Sequence, residues 1–124
     1  MAHILVIEDE QFLLRDFMEL LEFSDFNVLG ATSGEQGLEL AIKHHPDLIL
    51  CDIGLRSDLN GYQVLEMVRN TMPINSIPFV FMSARADPDS RALGLEKGAN
   101  DYLTKPFAAA DLIDTVTRLL QKTS

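Results

Sequence analysis

The chain has 124 residues, of which 47% are hydrophobic, with a net charge of −9 and a single cysteine. That size and composition suit one domain with a core of its own, expected to span residues 1–124, and the lone cysteine excludes an internal disulfide and favours a reducing, cytoplasmic setting. The acidic balance argues against direct binding to nucleic acid or to anionic membranes, and no apolar run approaches the roughly 20 residues of a membrane span.

The pattern alternates strand and helix five times. Residues 3–8 read as a first strand, built on Ile4-Leu5-Val6-Ile7. Gln11 to Phe23 follows as a helix, because Leu14, Phe17, Met18 and Leu21 recur at helical spacing. Asn27 to Ala31 is a short second strand. Ser33 caps a helix that runs to His44 and stops before Pro46. Asp47 to Asp52 is the third strand. Gly61 to Asn70 is the third helix, with Val64, Leu65 and Val68 facing inward. Ile77 to Ser83 is the fourth strand. Asp87-Pro88 opens a fourth helix as cap and first helical residue, and Gly98 ends it. Asp101 to Thr104 is the fifth strand. Leu112, Ile113, Val116, Leu119 and Leu120 make the stripe of a last helix, before the polar tail Gln121 to Ser124. Strands one, three and four are apolar almost throughout, as central parallel strands covered on both faces must be. Five such units fit an α/β fold with a doubly wound parallel sheet.

The polar residues at the strand ends carry the chemistry. In an open parallel sheet, ligands bind at the carboxyl ends of the strands. Glu8 and Asp9 follow the first strand, Asp52 closes the third, Ser83 the fourth, and Lys105 follows the fifth. Three crowded carboxylates sum to −3, and two unit charges about 4 Å apart at an effective dielectric near 20 repel by roughly 4 kcal/mol. Lys105 offsets one charge. The remainder matches a hard divalent cation, and Mg2+ fits best, since it takes oxygen ligands and leaves room for a phosphate oxygen. A phosphoryl group on Asp52 would then meet the cation, Lys105, the Ser83 hydroxyl and nearby backbone N–H groups.

Four segments in this order and spacing resemble the receiver domains of two-component response regulators: Ile7-Glu8-Asp9-Glu10, Asp47 to Asp52, Phe81-Met82-Ser83-Ala84, and Gly98 to Phe107. The resemblance covers essentially the whole chain. It implies the flavodoxin-like receiver fold, five strands in the order 2-1-3-4-5 flanked by five helices. It also implies that Asp52 accepts phosphate from a histidine kinase or phosphotransfer protein. Asp9 and Asp52 would ligate Mg2+ directly, Glu8 through water, and Gly54 through its carbonyl. Ser83 and Lys105 would contact the phosphoryl group, and Tyr102 would be the switch aromatic. Tyr102 is expected to start partly exposed and to turn inward when Ser83 moves. The face formed by the fourth helix, fifth strand and fifth helix would dock an output protein, an output domain or a second copy of the chain. Lys105-Pro106 is expected to be cis.

One stretch departs from the family pattern. Receivers usually read proline four residues after the acceptor, where this chain has Arg56, and Gly61 comes one residue late. The extra residue is expected to bulge outward around Arg56 to Asn60, with Gly54 still turned to the metal. Other classes fit less well. A flavodoxin-like cofactor protein wants a phosphate loop where Glu8-Asp9-Glu10 stands. A phosphatase with an aspartate nucleophile wants a second acid at position 54, which is Gly54. A pseudo-receiver that works without phosphorylation would have lost an acidic or Lys position, and none is lost. Cys51 reads as a core residue, and His44-His45 as cations suited to a helix end.

Overall fold

The computed structural model describes residues 1–122, so Thr123 and Ser124 of the polar tail lie outside the described residues. The elements are β1 (His3–Ile7), α1 (Gln11–Phe23), β2 (Asn27–Ala31), α2 (Gly34–His44), β3 (Leu48–Asp52), α3 (Gly61–Arg69), β4 (Phe79–Ser83), α4 (Pro88–Glu96), β5 (Asp101–Thr104) and α5 (Ala109–Lys122). The five strands form one parallel sheet in the order β2-β1-β3-β4-β5. Both the class and the strand order agree with the expectation from sequence. The boundaries agree to within two residues. The largest difference is at β4, which begins at Phe79 rather than Ile77. Ile77 closes a turn through its N–H to the Ile74 carbonyl (3.2 Å), and Pro78 has no N–H to give to a neighbouring strand.

Alternation along the strands divides the core into two layers. Leu5, Ile7, Ile49, Cys51, Phe79 and Phe81 point to one face and pack with Ala41 of α2 and with Val64, Leu65 and Val68 of α3. Ile4, Val6, Leu48, Leu50, Val80 and Met82 point to the other and meet Phe17 and Leu21 of α1 and Leu112, Val116 and Leu119 of α5. The α1 stripe is therefore split in use. Phe17 and Leu21 enter the core, while Met18 and Leu14 lie against Gly30 of β2.

The helix ends follow their capping chemistry. The Ser33 side chain accepts the Gln36 N–H, and the Asp87 side chain accepts the Ser90 N–H ahead of Pro88. Asn60 and Gln63 cap α3 reciprocally. Gly98, just past α4, has φ +113°, a conformation that side chains other than glycine's rarely tolerate.

The amino ends of β4 and β5 are tied by Arg69, the last residue of α3. Its Nη1 donates to the Ile77 carbonyl (2.7 Å) and the Asn75 carbonyl (3.3 Å). Its Nη2 donates to the Gly98 carbonyl and to Asn100 Oδ1, both at 3.0 Å. Asn100 Oδ1 also accepts the Phe79 N–H at 2.9 Å. The opposite, carboxyl ends of β1, β3, β4 and β5 are where the charged residues converge.

Candidate functional site

The register explains the convergence. Ile7 pairs with Cys51, Asp52 with Met82, and Ser83 with Thr104. The residues that close or follow these strands therefore emerge side by side on one edge. Glu8 is 1% exposed, Asp52 is 9% exposed, and carboxylate oxygens of Glu8, Asp9 and Asp52 lie within 4.8 Å of one another. Lys105 reaches in from β5. Its Nζ donates to Glu8 Oε1 and, at 3.0 Å, to Asp52 Oδ1. The Lys105 N–H donates to the Ser83 carbonyl at 2.7 Å, which fixes the lysine backbone to the end of β4. The Lys105–Pro106 bond is cis, as the resemblance implies, and so is Met72–Pro73.

Burial pushes the Glu8 carboxyl above its ordinary range, against the pull of Lys105 and the Glu10 N–H. Burial would also raise Asp9, but hydrogen bonds from the Arg56 N–H and guanidinium outweigh it and hold Asp9 below its ordinary range. Burial alone would lower Lys105, and its bonds to Glu8 and Asp52 more than reverse that. The set is thus three carboxylates, of which Glu8 and Asp52 share one internal ammonium and Asp9 is held by Arg56 from the rim. Its chemistry fits a hard divalent cation. All the donors are oxygens, and the negative charge inside exceeds the positive.

The loop after β3 is shaped by close approach. A Cβ on Gly61 would stand 2.5 Å from the Asp52 carbonyl oxygen and 2.7 Å from Ile53 Cα. Only glycine lets α3 start this near the strand end. Gly54 lies beside Asp52, with the place a Cβ would take 3.9 Å from Asp52 Oδ2. In the lengthened loop Arg56, Asp58 and Asn60 are exposed while Ser57 and Leu59 are half-buried, and the loop is tied down. The Ser57 hydroxyl accepts the Gly34 N–H (3.3 Å) and donates to the Leu59 carbonyl (2.8 Å), and the Leu59 N–H donates to Glu35 (2.8 Å).

Ser83 is buried at the end of β4, and its hydroxyl accepts the Arg85 N–H at 3.1 Å. Tyr102 differs from its expected starting position. It is 3% exposed, already turned inward, and its hydroxyl donates to the Arg85 carbonyl at 2.9 Å. Gly94 of α4 leaves the room for the ring, since a Cβ there would come within 3.2 Å of it. Ser83 and Tyr102 therefore grip the two sides of one residue. The sequence pattern marks neither Arg85 nor Arg56 as a partner of the site. Arg56 has a signal, because it stands where the family pattern usually has a proline. Arg85 acts through its backbone, which side-chain identity does not reveal. Cys51 is buried, and desolvation pushes its thiol far up, consistent with a core residue.

The sequence profile of the response regulator receiver domain matches residues 4–117. Response regulator ArlR of Staphylococcus aureus is 36% identical over 123 residues, which cover 98% of this chain and 54% of that protein. The chain thus spans about half the length of the curated relatives it matches. Among solved structures, the receiver domain of the Francisella response regulator 1452 superposes with a TM-score of 0.93 at 27% identity, covering 100% of both chains. The non-phosphorylated HemR receiver domain from Leptospira biflexa superposes with a TM-score of 0.86 at 28% identity, over 97% of this chain and 94% of that one. Sequence and fold agree along nearly the full length, and the chain belongs to the receiver domains of two-component response regulators.

Proposed function

We propose that this receiver takes a phosphoryl group onto Asp52 from a histidine kinase or phosphotransfer protein and relays its presence to an output partner. The observation that carries this reading is the Asp52 carboxylate itself. It stands at the sheet edge, 3.0 Å from Lys105 Nζ and within 4.8 Å of two further carboxylates. An Asp52 oxygen attacks phosphorus, and the bond from phosphorus to the donor nitrogen breaks. The electron pair leaves with the donor imidazole, and an acyl phosphate forms. Mg2+ would be held by Asp9 and Asp52, by Glu8 through water and by the Gly54 carbonyl, and it would neutralise charge on the phosphoryl oxygens. Lys105 then trades its Asp52 oxygen for a phosphoryl oxygen. The chain is a phosphoacceptor that speeds its own labelling and its own return to the free carboxylate, rather than an enzyme acting on other substrates.

The signal leaves through Arg85. Its N–H is held by Ser83 and its carbonyl by Tyr102. When the Ser83 hydroxyl turns to donate to the phosphoryl group, the Arg85 N–H is released, and the turn leading to α4 is free to shift on Tyr102. The switch then moves the backbone beside an already buried ring rather than burying the ring. A swing from 1:99 to 99:1 takes about 5.5 kcal/mol, within reach of several charge-assisted bonds at roughly 1.5–3 kcal/mol each. The α4-β5-α5 face changes and meets an output protein, an output domain or a second copy. A cytoplasmic place suits a partner of kinases, and among the described residues no helix is long and apolar enough to cross a membrane. Residues 1–124 would act as one receiver unit.

Intact-protein mass spectrometry after treatment with acetyl phosphate tests the reading. One added phosphate is expected, lost in EDTA and in Asp52→Asn. Equal labelling of that variant would sink the assignment.

A further inference from the structure

Arg56 stands where the family pattern usually has a proline, and it brings two donors to the acidic cluster. A proline has neither an N–H nor a charge. The Arg56 N–H donates to Asp9 Oδ2 at 2.9 Å, and its Nε donates to the same oxygen at 3.1 Å. Both donors converge on one of the three carboxylates that lie within 4.8 Å of each other. The two bonds differ in how easily they are given up. The backbone donor sits in a loop pinned to α2 by Ser57 and by Glu35. The guanidinium side chain is 81% exposed, so it can leave for solvent without disturbing the core.

We infer that Arg56 competes with the divalent cation for Asp9 and so sets the cation concentration at which the site fills. The inference rests on the metal reading proposed above. Three carboxylates with Lys105 and Arg56 leave the cluster at −1. Without Arg56 it stands at −2, the charge a divalent cation neutralises. An incoming ion meets an adjacent positive guanidinium and an oxygen that already accepts two bonds. A proline in its place would present neither obstacle. The side chain acts on the ion through Asp9, so Arg56 is a positioning residue, and its mark should appear in metal affinity rather than in the identity of the phosphorylated residue.

Mg2+ titrations of the metal-free chain, followed by the backbone amide NMR shifts of Asp52 and Gly54, test this. Wild type, Arg56→Ala and Asp9→Asn are compared at low and high ionic strength, with thermal unfolding as a check on each fold. Arg56→Ala should bind Mg2+ about three- to tenfold more tightly at low salt. The gap should shrink in high salt, because an exposed guanidinium is screened. Asp9→Asn should lose most of the binding. If Asp9→Asn weakens binding but Arg56→Ala binds Mg2+ no more tightly than wild type, the competition is overturned and the metal reading stands. If Asp9→Asn binds as tightly as wild type, the metal reading falls and the competition with it.

Discussion

Two half-buried cations cross-link this fold at opposite edges of the sheet, and they are partnered differently. Lys105, at the carboxyl ends, is bonded to the carboxylates of Glu8 and Asp52. Arg69, at the amino ends, is bonded to the carbonyls of Ile77, Asn75 and Gly98 and to the amide oxygen of Asn100. Burial lowers the Arg69 guanidinium from its ordinary range, whereas the carboxylates raise Lys105 above its own. The partners decide what each edge can do. A carboxylate held by an ammonium can be offered a divalent cation or can give up its partner to a phosphoryl oxygen. A backbone carbonyl held by a guanidinium has nothing better to exchange for. One edge is a lock and the other is a site.

The largest expected effect lies at the lock. Arg69→Ala leaves several partly buried carbonyls without a donor, and we expect a loss of about 3 kcal/mol in urea unfolding. Arg69→Lys should recover only part of it, because one ammonium cannot reproduce the planar fork that meets four oxygens. Mg2+ should not change the size of either loss. A deficit in Arg69→Ala that Mg2+ repairs would erase the distinction between the two edges.

The two edges also differ in how well the sequence announces them. Apolar runs mark β1, β3 and β4, the alternation of strand and helix marks β2 and β5, and the position of Glu8, Asp9, Asp52, Ser83 and Lys105 at or just past the strand ends places them on one edge. Strand ends are a local signal, and the parallel sheet turns it into a shared location. Arg69 has no such signal. An arginine in a last helical turn suits the helix dipole and reads as a surface charge. Its reach to three backbone carbonyls depends on how a connecting segment and two strand starts pack, which no side-chain pattern encodes. The sequence pattern puts Tyr102 on β5, but its burial depends on the gap at Gly94, on another element. The Arg56 contact with Asp9 needed the path of a loop one residue longer than the family pattern, which again is tertiary.

At the site, Lys105→Ala should cost about 1–2 kcal/mol without Mg2+, because Glu8 and Asp52 are left to repel each other and Glu8 can relieve this only by taking a proton. Here Mg2+ should restore much of the stability, since another cation can do the work of the lost one. The sign of the pH dependence follows from the raised Lys105. Its stabilising contribution is fully present below its ordinary value of 10.5 and is lost as pH rises through the higher folded value. The gap between wild type and variant should therefore hold through neutral pH and close in strong alkali. Urea titrations with and without Mg2+ across this range measure it. A gap that Mg2+ leaves untouched would mean that Lys105, like Arg69, is a fixed clamp.

The smallest effect belongs to Arg56, the second cation of the site edge. Its side chain is mostly exposed, so its bond to Asp9 is worth about 0.2–1 kcal/mol of stability by the measure of surface ion pairs. Asp9 is held below its ordinary value of 3.8, so this contribution is present above that value and is lost as pH falls through the lower folded value. In chelator-treated buffer, Arg56→Ala should be slightly less stable than wild type at neutral pH, and the difference should vanish on acidification. With Mg2+ the difference should narrow or reverse, because the variant gains more from the ion than wild type does. A difference of the same size with and without Mg2+ would place Arg56 with Arg69 as a structural cation. The exchangeable set would then be confined to Lys105 and the carboxylates it shares.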